Sequence, residues 1–463
     1  MAENYIIPKT SKVAFKIETT EGTAPTDAAS DSVLVNLAPS IKGLTRNWAE
    51  RNLMLGFMGR LRPLDAGPSD PGCSIQVQAR GSGTHGTAPE IGQMLECSMG
   101  VKTLGVTGTV AASPTPTTTA FTVTGATIAV GQLVDVEVST DVYETRRVIT
   151  SAAGPAITVW PPLSAAPGTG ANVYPGVSYL LSSTPTDYKS GSAFFYFPNG
   201  EKLVLSGLRG NPTFTLGIRE PMLIDFEFMG IKAPVTSQAA IGYSWAPPDF
   251  DIIPEVCLAV EMRVFIPALV KTGSSTTSVL LKNLDGSASY FEATDAVDKL
   301  IVDVGSSVYE TKTITTWTYA TQTATVPTLG GSPAENAHAY IQRTICIPGE
   351  LKIDPGHVFT KLECMAATDG WVSQHITDRN PVITWDQYFK SFVDYRLLQQ
   401  AAFVELWAVL GDTRGNKIAL CIPNVFRQEY ELDLGGEFGM INMTASAFSD
   451  NTTGNNEIYL TFL

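Results

Sequence analysis

The sequence predicts a mainly β protein of two β-sandwich or barrel units, each flanked by one α-helix, with small β modules inserted into them. Three observations point there. Hydrophobic residues alternate with period two along many short runs, the hallmark of half-buried strands. Only 16% of the 463 residues are charged, against about 25% in typical domains. Thr, Ser, Ala and Gly fill the deficit, as suits short strands and tight turns. Finally, the chain resembles itself, a sign of a duplicated unit.

The predicted strands are VAFKIET, VLVNL, SIQVQAR, FTVTG, LVDVEVS, AITVWP, LVLSG, TFTLG and LIDFEFMG, with Gly, Pro, Asn and Asp supplying the turns. Helical spacing occurs in two places. In APEIGQMLECSMG, Pro89 suits a first turn, Ile91, Met94, Leu95 and Ser98 share a face, and Gly100 ends it. A second helix is expected from Trp385 or Asp386, where Tyr388, Phe392, Tyr395 and Leu398 fall at helical spacing, before a strand at 403–410.

The self-resemblance pairs Gly200–Gly230 with Gly415–Phe448; both run turn, apolar strand, loop, alternating strand, turn, alternating strand. The tetrapeptide VYET occurs at Val142–Thr145 and Val308–Thr311, each time between an alternating valine strand and a Thr-rich strand. One VYET region follows its unit's helix and the other precedes it. Either inserted modules moved independently, or two hairpins are alike by chance. The expected organisation is a first β domain at 1–107 with 176–250, interrupted by a module at 108–175. A second follows at 251–270 with 346–463, interrupted by a module at 271–345. The uncharged Pro/Thr-rich GTVAASPTPTTTAF introduces the first module.

Composition excludes several function classes. A net charge of −14 argues against gripping nucleic acid through its phosphates, which takes Lys and Arg. It is compatible with a surface that lets nucleic acid pass, because acidic walls repel phosphate. The first residues carry no apolar signal-peptide core, and no run reaches the roughly 18 apolar residues of a membrane span. A cytosolic site of synthesis without a membrane anchor is expected. Cys73, Cys97, Cys257, Cys346, Cys364 and Cys421 are scattered without a C-x-x-C pair, and His85, His338, His357 and His375 lack helical i, i+4 spacing. Buried free thiols are expected, and no metal site or cofactor.

Gly81-Ser-Gly83-Thr-His-Gly86 fits the glycine pattern of dinucleotide-binding turns, but its context does not. The preceding strand alternates where a buried parallel strand would be apolar throughout. No acid stands at the ribose-binding distance, since the next after Glu96 is Asp135. A flexible loop leading into the first helix is expected instead. No nucleophile elbow, zinc-protease motif or P-loop occurs, and no two carboxylates are singled out, so no enzymatic role is predicted.

Charge patterning says more. Asp225 and Glu227 alternate with Ile224, Phe226 and Phe228, and Glu429, Glu431 and Asp433 alternate with Tyr430, Leu432 and Leu434. Each strand thus has an apolar and an acidic face. An ordinary solvated sheet face is one reading of this pattern; like charges this close repel, however, which costs stability unless function requires it, and a negatively lined channel would supply that requirement. These five acids are the candidate lumen-facing residues.

Several segments together resemble the major tail tube proteins of long-tailed, siphovirus-type bacteriophages. They are VAFKIETTEGTAPT, VLVNLAPSI, AERNLMLGFMG, GSGTHGTAPEIGQMLECSMG, GEKLVLSGLRGNPTFTLGIREPMLIDFEFMG and, later, ITDRNPVITWD with GNKIALCIPN. The resemblance leaves out 105–175 and 270–345; no single motif is diagnostic, but their order is. It implies tube β-sandwich domains assembling as rings that stack into a hollow tail tube. In duplicated members a homotrimer supplies six domain copies per pseudo-hexameric ring. It also implies a tape measure protein in the lumen before ejection, passage of double-stranded DNA afterwards, and inserts on the outside. The location it implies is the virion tail, assembled in the host cytoplasm. The halves of this chain are only weakly alike, and their inserts sit at different points.

Two other classes compete. A secreted or virion-surface β-sandwich that binds glycans or receptors would expose Trp160, Trp245 and Trp317 in one groove. A carboxylate-based hydrolase would need a pocket with two convergent acids.

Overall fold

A computed structural model describes residues 11–49, 64–68, 70–151, 156–238, 252–254, 263–284, 298–305, 308–318, 320–344, 347–364, 371–389, 395, 398, 403–436, 438–449 and 454–463. The chain is mainly β, as its alternation predicts. Fourteen strands form two units with the same pairing scheme. The first holds β1 (Lys12–Ile17), β2 (Ser40–Lys42), β3 (Gly72–Gln78), β4 (Gly191–Tyr196), β5 (Glu201–Gly217), β6 (Leu223–Met229) and β7 (Val235–Gln238). The second holds β8 (Arg263–Val270), β9 (Glu350–Asp354), β10 (Val382–Tyr388), β11 (Phe403–Leu410), β12 (Ile418–Asp433), β13 (Met440–Phe448) and β14 (Tyr459–Phe462).

In the first unit β5 pairs through its N-terminal half with β4 and β7, and β4 pairs with β1. Its C-terminal half pairs with β6, which pairs with β3, and β3 with β2. In the second unit β12 pairs first with β11 and β14, and β11 with β8. It then pairs with β13, which pairs with β10, and β10 with β9. Even the irregularities repeat. The β4–β5 register steps between Gly191 and Ala193, and the β11–β12 register between Val404 and Leu406. Each opposes three residues of the long strand to two of its partner, which bends and twists the strand between its two sheets.

The sequence reading needs correcting in several places here. No loop separates LVLSG from TFTLG: both belong to β5, and β12 is continuous in the same way. The bulge with Gly207, at φ 70°, turns the strand where a loop was expected. The second helix does not begin at Trp385, since β10 runs through Tyr388. β-branched Val382, Ile383 and Thr384 favour a strand, and Trp385 is buried on its apolar side. Tyr395 and Leu398 are helical, while Phe392 lies outside the described residues. The first helix, α1 (Gly92–Ser98), lies where predicted but starts after Pro89 rather than with it; Ile91, Met94, Leu95 and Ser98 are all buried and Gly100 follows at φ 97°. VLVNL forms a strand only at its first residue, in the pair Ser32–Val33.

The first inserted module is a closed six-stranded barrel spanning Gly108–Val110, Ala120–Thr124, Leu133–Ser139, Val142–Ser151, Ala156–Trp160 and Asn172–Pro175. Val134, Val136, Val148 and Phe121 fill it. In the second module, pairings run round a ring in the same order. They go from β8 to Ser278–Lys282, Thr323–Thr325, Thr316–Thr318 with the preceding Tyr309–Thr313, Lys299–Asp303 and His338–Thr344, then back to β8. The VYET hairpins match in register, with Glu137 opposite Tyr143 and Asp303 opposite Tyr309. The two VYET hairpins therefore occupy equivalent places in two like modules.

Candidate functional surface

The C-terminal halves of the long strands join the units. Phe214, Thr215, Leu216 and Gly217 of β5 lie opposite Ile353, Lys352, Leu351 and Glu350 of β9. One antiparallel sheet therefore runs β2-β3-β6-β5-β9-β10-β13-β12, a four-strand pattern used twice.

Period two gives this sheet two unlike faces. Cys73, Ile75, Val77, Phe214, Ile224, Phe226, Ile353, Ile383, Trp385 and Met443 turn into the main core and are buried. The other face is polar, and all five acids singled out from the sequence lie on it. Asp225 and Glu227 stand on β6 in the first unit, and Glu429, Glu431 and Asp433 on β12 at the far edge. They share a face but form no pocket, since four strands separate β6 from β12.

Sequence reasoning missed three further acids on this face, Glu350, Asp354 and Asp386. The signal was present: in ELKID, Leu351 and Ile353 are buried while Glu350 and Lys352 are exposed. Asp386 was lost to the expected helix. Against eight acids the face presents Lys42 and Lys352; Arg209, at its rim, is buried against Glu21, with nitrogen to oxygen 2.7 Å.

Several acids are held in place. Gln76 Nε2 donates to Asp225 Oδ1 at 2.9 Å, Lys42 Nζ meets Glu227 Oε1 at 2.7 Å, and Asn211 Nδ2 donates to Asp354 Oδ1 at 2.7 Å. The Lys42–Glu227 pair is more than half exposed and contributes little stability. Glu429 and Glu431 are exposed. The arrangement is a wall of fixed negative charge on a rigid sheet.

Other candidate sites resolve into structure. At the glycine motif, Gly81 N donates to Asn416 Oδ1 at 2.9 Å and Gly83 N to Gly415 O at 3.0 Å. A Cβ on Gly81 would lie 1.9 Å from the Gly415 carbonyl oxygen. These glycines admit a turn of the same chain at Arg414–Asn416, and the segment is pinned rather than flexible. A cleft of about 530 Å³ between the first barrel and the second unit is lined by both charge signs, including Asp135, Glu144, Arg146, Arg414 and Lys417. Lys417 binds Asp135 at 2.8 Å, Arg146 binds Glu144 at 2.5 Å, and Arg414 lies over the Tyr174 ring. Lys417 and Arg414 therefore tie the second unit to the barrel, while the Arg146–Glu144 pair lies within one barrel strand. Beside it, Trp160 Nε1 donates to Glu405 Oε2 at 2.5 Å, and burial pushes the Glu405 carboxyl upward against the pull of Arg147.

Trp160 is buried and Trp317 half-buried; Trp245 lies outside the described residues. Cys73, Cys97 and Cys421 are buried and Cys364 is exposed, all as free thiols, while Cys257 and Cys346 lie outside the described residues. Among the described residues no helix is long and apolar enough to cross a membrane, and no three His, Cys, Asp or Glu side chains converge as a metal site. Neither a protein-family model nor a curated protein sequence matches this chain.

Proposed function

We propose that the protein is the structural subunit of a phage tail tube, assembling into stacked rings around an acidic channel that conducts the genome during ejection. The observation that carries this reading is the eight-stranded sheet with one apolar and one acidic face, built from a four-strand pattern repeated within the chain. A repeated unit with a single polar concourse suits a ring of pseudo-equivalent domains. Fixed carboxylates facing a lumen would repel phosphate and leave DNA mobile.

On this reading three copies provide six units per ring, the barrels decorate the outside, and a tape measure protein fills the lumen before DNA does. No catalysis is involved. The glycan- or receptor-binding alternative draws no support from Trp160, which packs against Tyr340 with ring centres 4.4 Å apart. Negative-stain microscopy of the purified protein tests the proposal. Hollow rings or tubes are expected, and a monodisperse monomer at high concentration would refute it.

A further inference from the structure

The cleft between the first barrel and the second unit is only partly used by their attachment. Five cations line it against four acids, in a chain whose net charge is −14. Its inner acids are already engaged. Asp135 accepts from Lys417 and from the Thr145 hydroxyl at 2.6 Å, and Glu144 accepts from Arg146 and from the Ser164 backbone N–H at 3.0 Å. Asp141 and Asp412 are exposed to solvent.

The wall supplied by the second module is different. Lys299 lies directly opposite Gln342, and Ile301 lies between Thr311 and Tyr340. Alternation therefore puts Lys299, Thr311, Tyr340 and Gln342 on one face of these strands. Tyr340 is covered by Trp160 of the barrel, whereas Lys299, Thr311 and Gln342 line the cleft beside it. Lys299 is half-buried and has no carboxylate within ion-pair reach among the described residues. Gln342 is only 7% exposed, yet its side-chain amide makes no hydrogen bond among them. The Thr311 hydroxyl is buried without a partner, and a turn about χ1 brings it round to the cleft. Polar groups withdrawn from water without partners destabilise a fold. Three on one wall call for a partner from outside the chain.

We propose that this cleft binds a small organic anion, its phosphate or carboxylate group held by Lys299 and its neighbouring oxygens accepting from the Gln342 amide. Charge-assisted hydrogen bonds of this kind are the strong ones. The volume of about 530 Å³ falls within the range of about 300–1,000 Å³ typical of small-molecule sites. A ligand there bridges the barrel and the second module, so binding stabilises their joint by mass action. The site does not depend on the assembly reading above.

Titration calorimetry on the full chain tests it, with inorganic phosphate, glucose 6-phosphate and glucuronate at matched ionic strength, and glucose as the neutral control. Saturable binding of at least one anion and none of glucose is expected. Binding of the phosphates alone assigns a phosphate group to the site, and binding of glucuronate alone a carboxylate. Lys299→Met should weaken binding about tenfold or more, while Lys299→Arg retains it and Lys352→Met, on the acidic sheet, leaves it unchanged. Gln342→Met should also weaken binding, yet hold or raise the unfolding midpoint of the ligand-free protein, because it removes an unpaired amide at similar volume. No saturable binding of any of the three anions would overturn the proposal. So would binding that Lys299→Met leaves intact, or a Gln342→Met variant that loses stability and keeps its affinity.

Discussion

His357 sits where the two units meet, immediately beyond β9. Its backbone N–H donates to Asn211 Oδ1 at 3.1 Å, and its Nδ1 lies 3.1 Å from the Gly210 carbonyl oxygen of β5. Burial pushes the imidazole down to about 4, with Gly210 opposing the shift and Arg379 adding to it. The folded value lies below the unfolded one, so the unfolded chain binds the extra proton first. The stability involved is fully present above about pH 6.5 and is lost as pH falls through 4, up to about 3 kcal/mol. Denaturant titrations should therefore show His357→Asn flattening the pH dependence across that window relative to the parent protein. An unchanged slope would remove His357 from the junction's acid sensitivity. None of this is legible in the sequence, where His357 is one of four scattered histidines. That the five acids lie on the polar sides of their strands, by contrast, was legible, because alternation fixes a strand's faces without knowledge of its neighbours.

At the scale of the element, the strands were readable wherever one face is wet and the other dry. What failed was context. Residues 385–398 carry aromatic spacing that fits a helix, but the apolar sides of Ile383 and Trp385 are claimed by β13, with Trp385 opposite Met443. Tertiary pairing overrides local period there. The glycines of β5 read as a loop because a bulge and a loop use the same residues. Gly207 lies at φ 70°, and a Cβ added to it would fall 2.3 Å from Ile231 Cγ1. Gly207→Ala should therefore destabilise the protein by about 1–3 kcal/mol in chemical unfolding. A neutral result would mean that the bend of β5 is not set at this bulge.

For the whole molecule, the duplication was visible only where the long strand and its hairpin neighbour retain similar patterning. Ladder registers reveal the rest, including the counterparts β3 and β10 whose sequences, GCSIQVQ and VITWDQY, share little beyond alternation. The two β modules explain why the halves align poorly: the barrel follows a helix, whereas the second module's ring of pairings runs through β8 itself. Their positions keep them away from the ladder that joins β5 to β9, so the eight-stranded sheet is uninterrupted. Net charge alone could not have located the acidic wall, because it depends on which strands share a face.

The measurement closest to the central claim is a cryo-electron microscopy reconstruction of the assembled particle. The account predicts hollow rings in which Asp225, Glu227, Glu429, Glu431 and Asp433 line the channel, with the barrels outside. A reconstruction that places these side chains on the outer surface would contradict it.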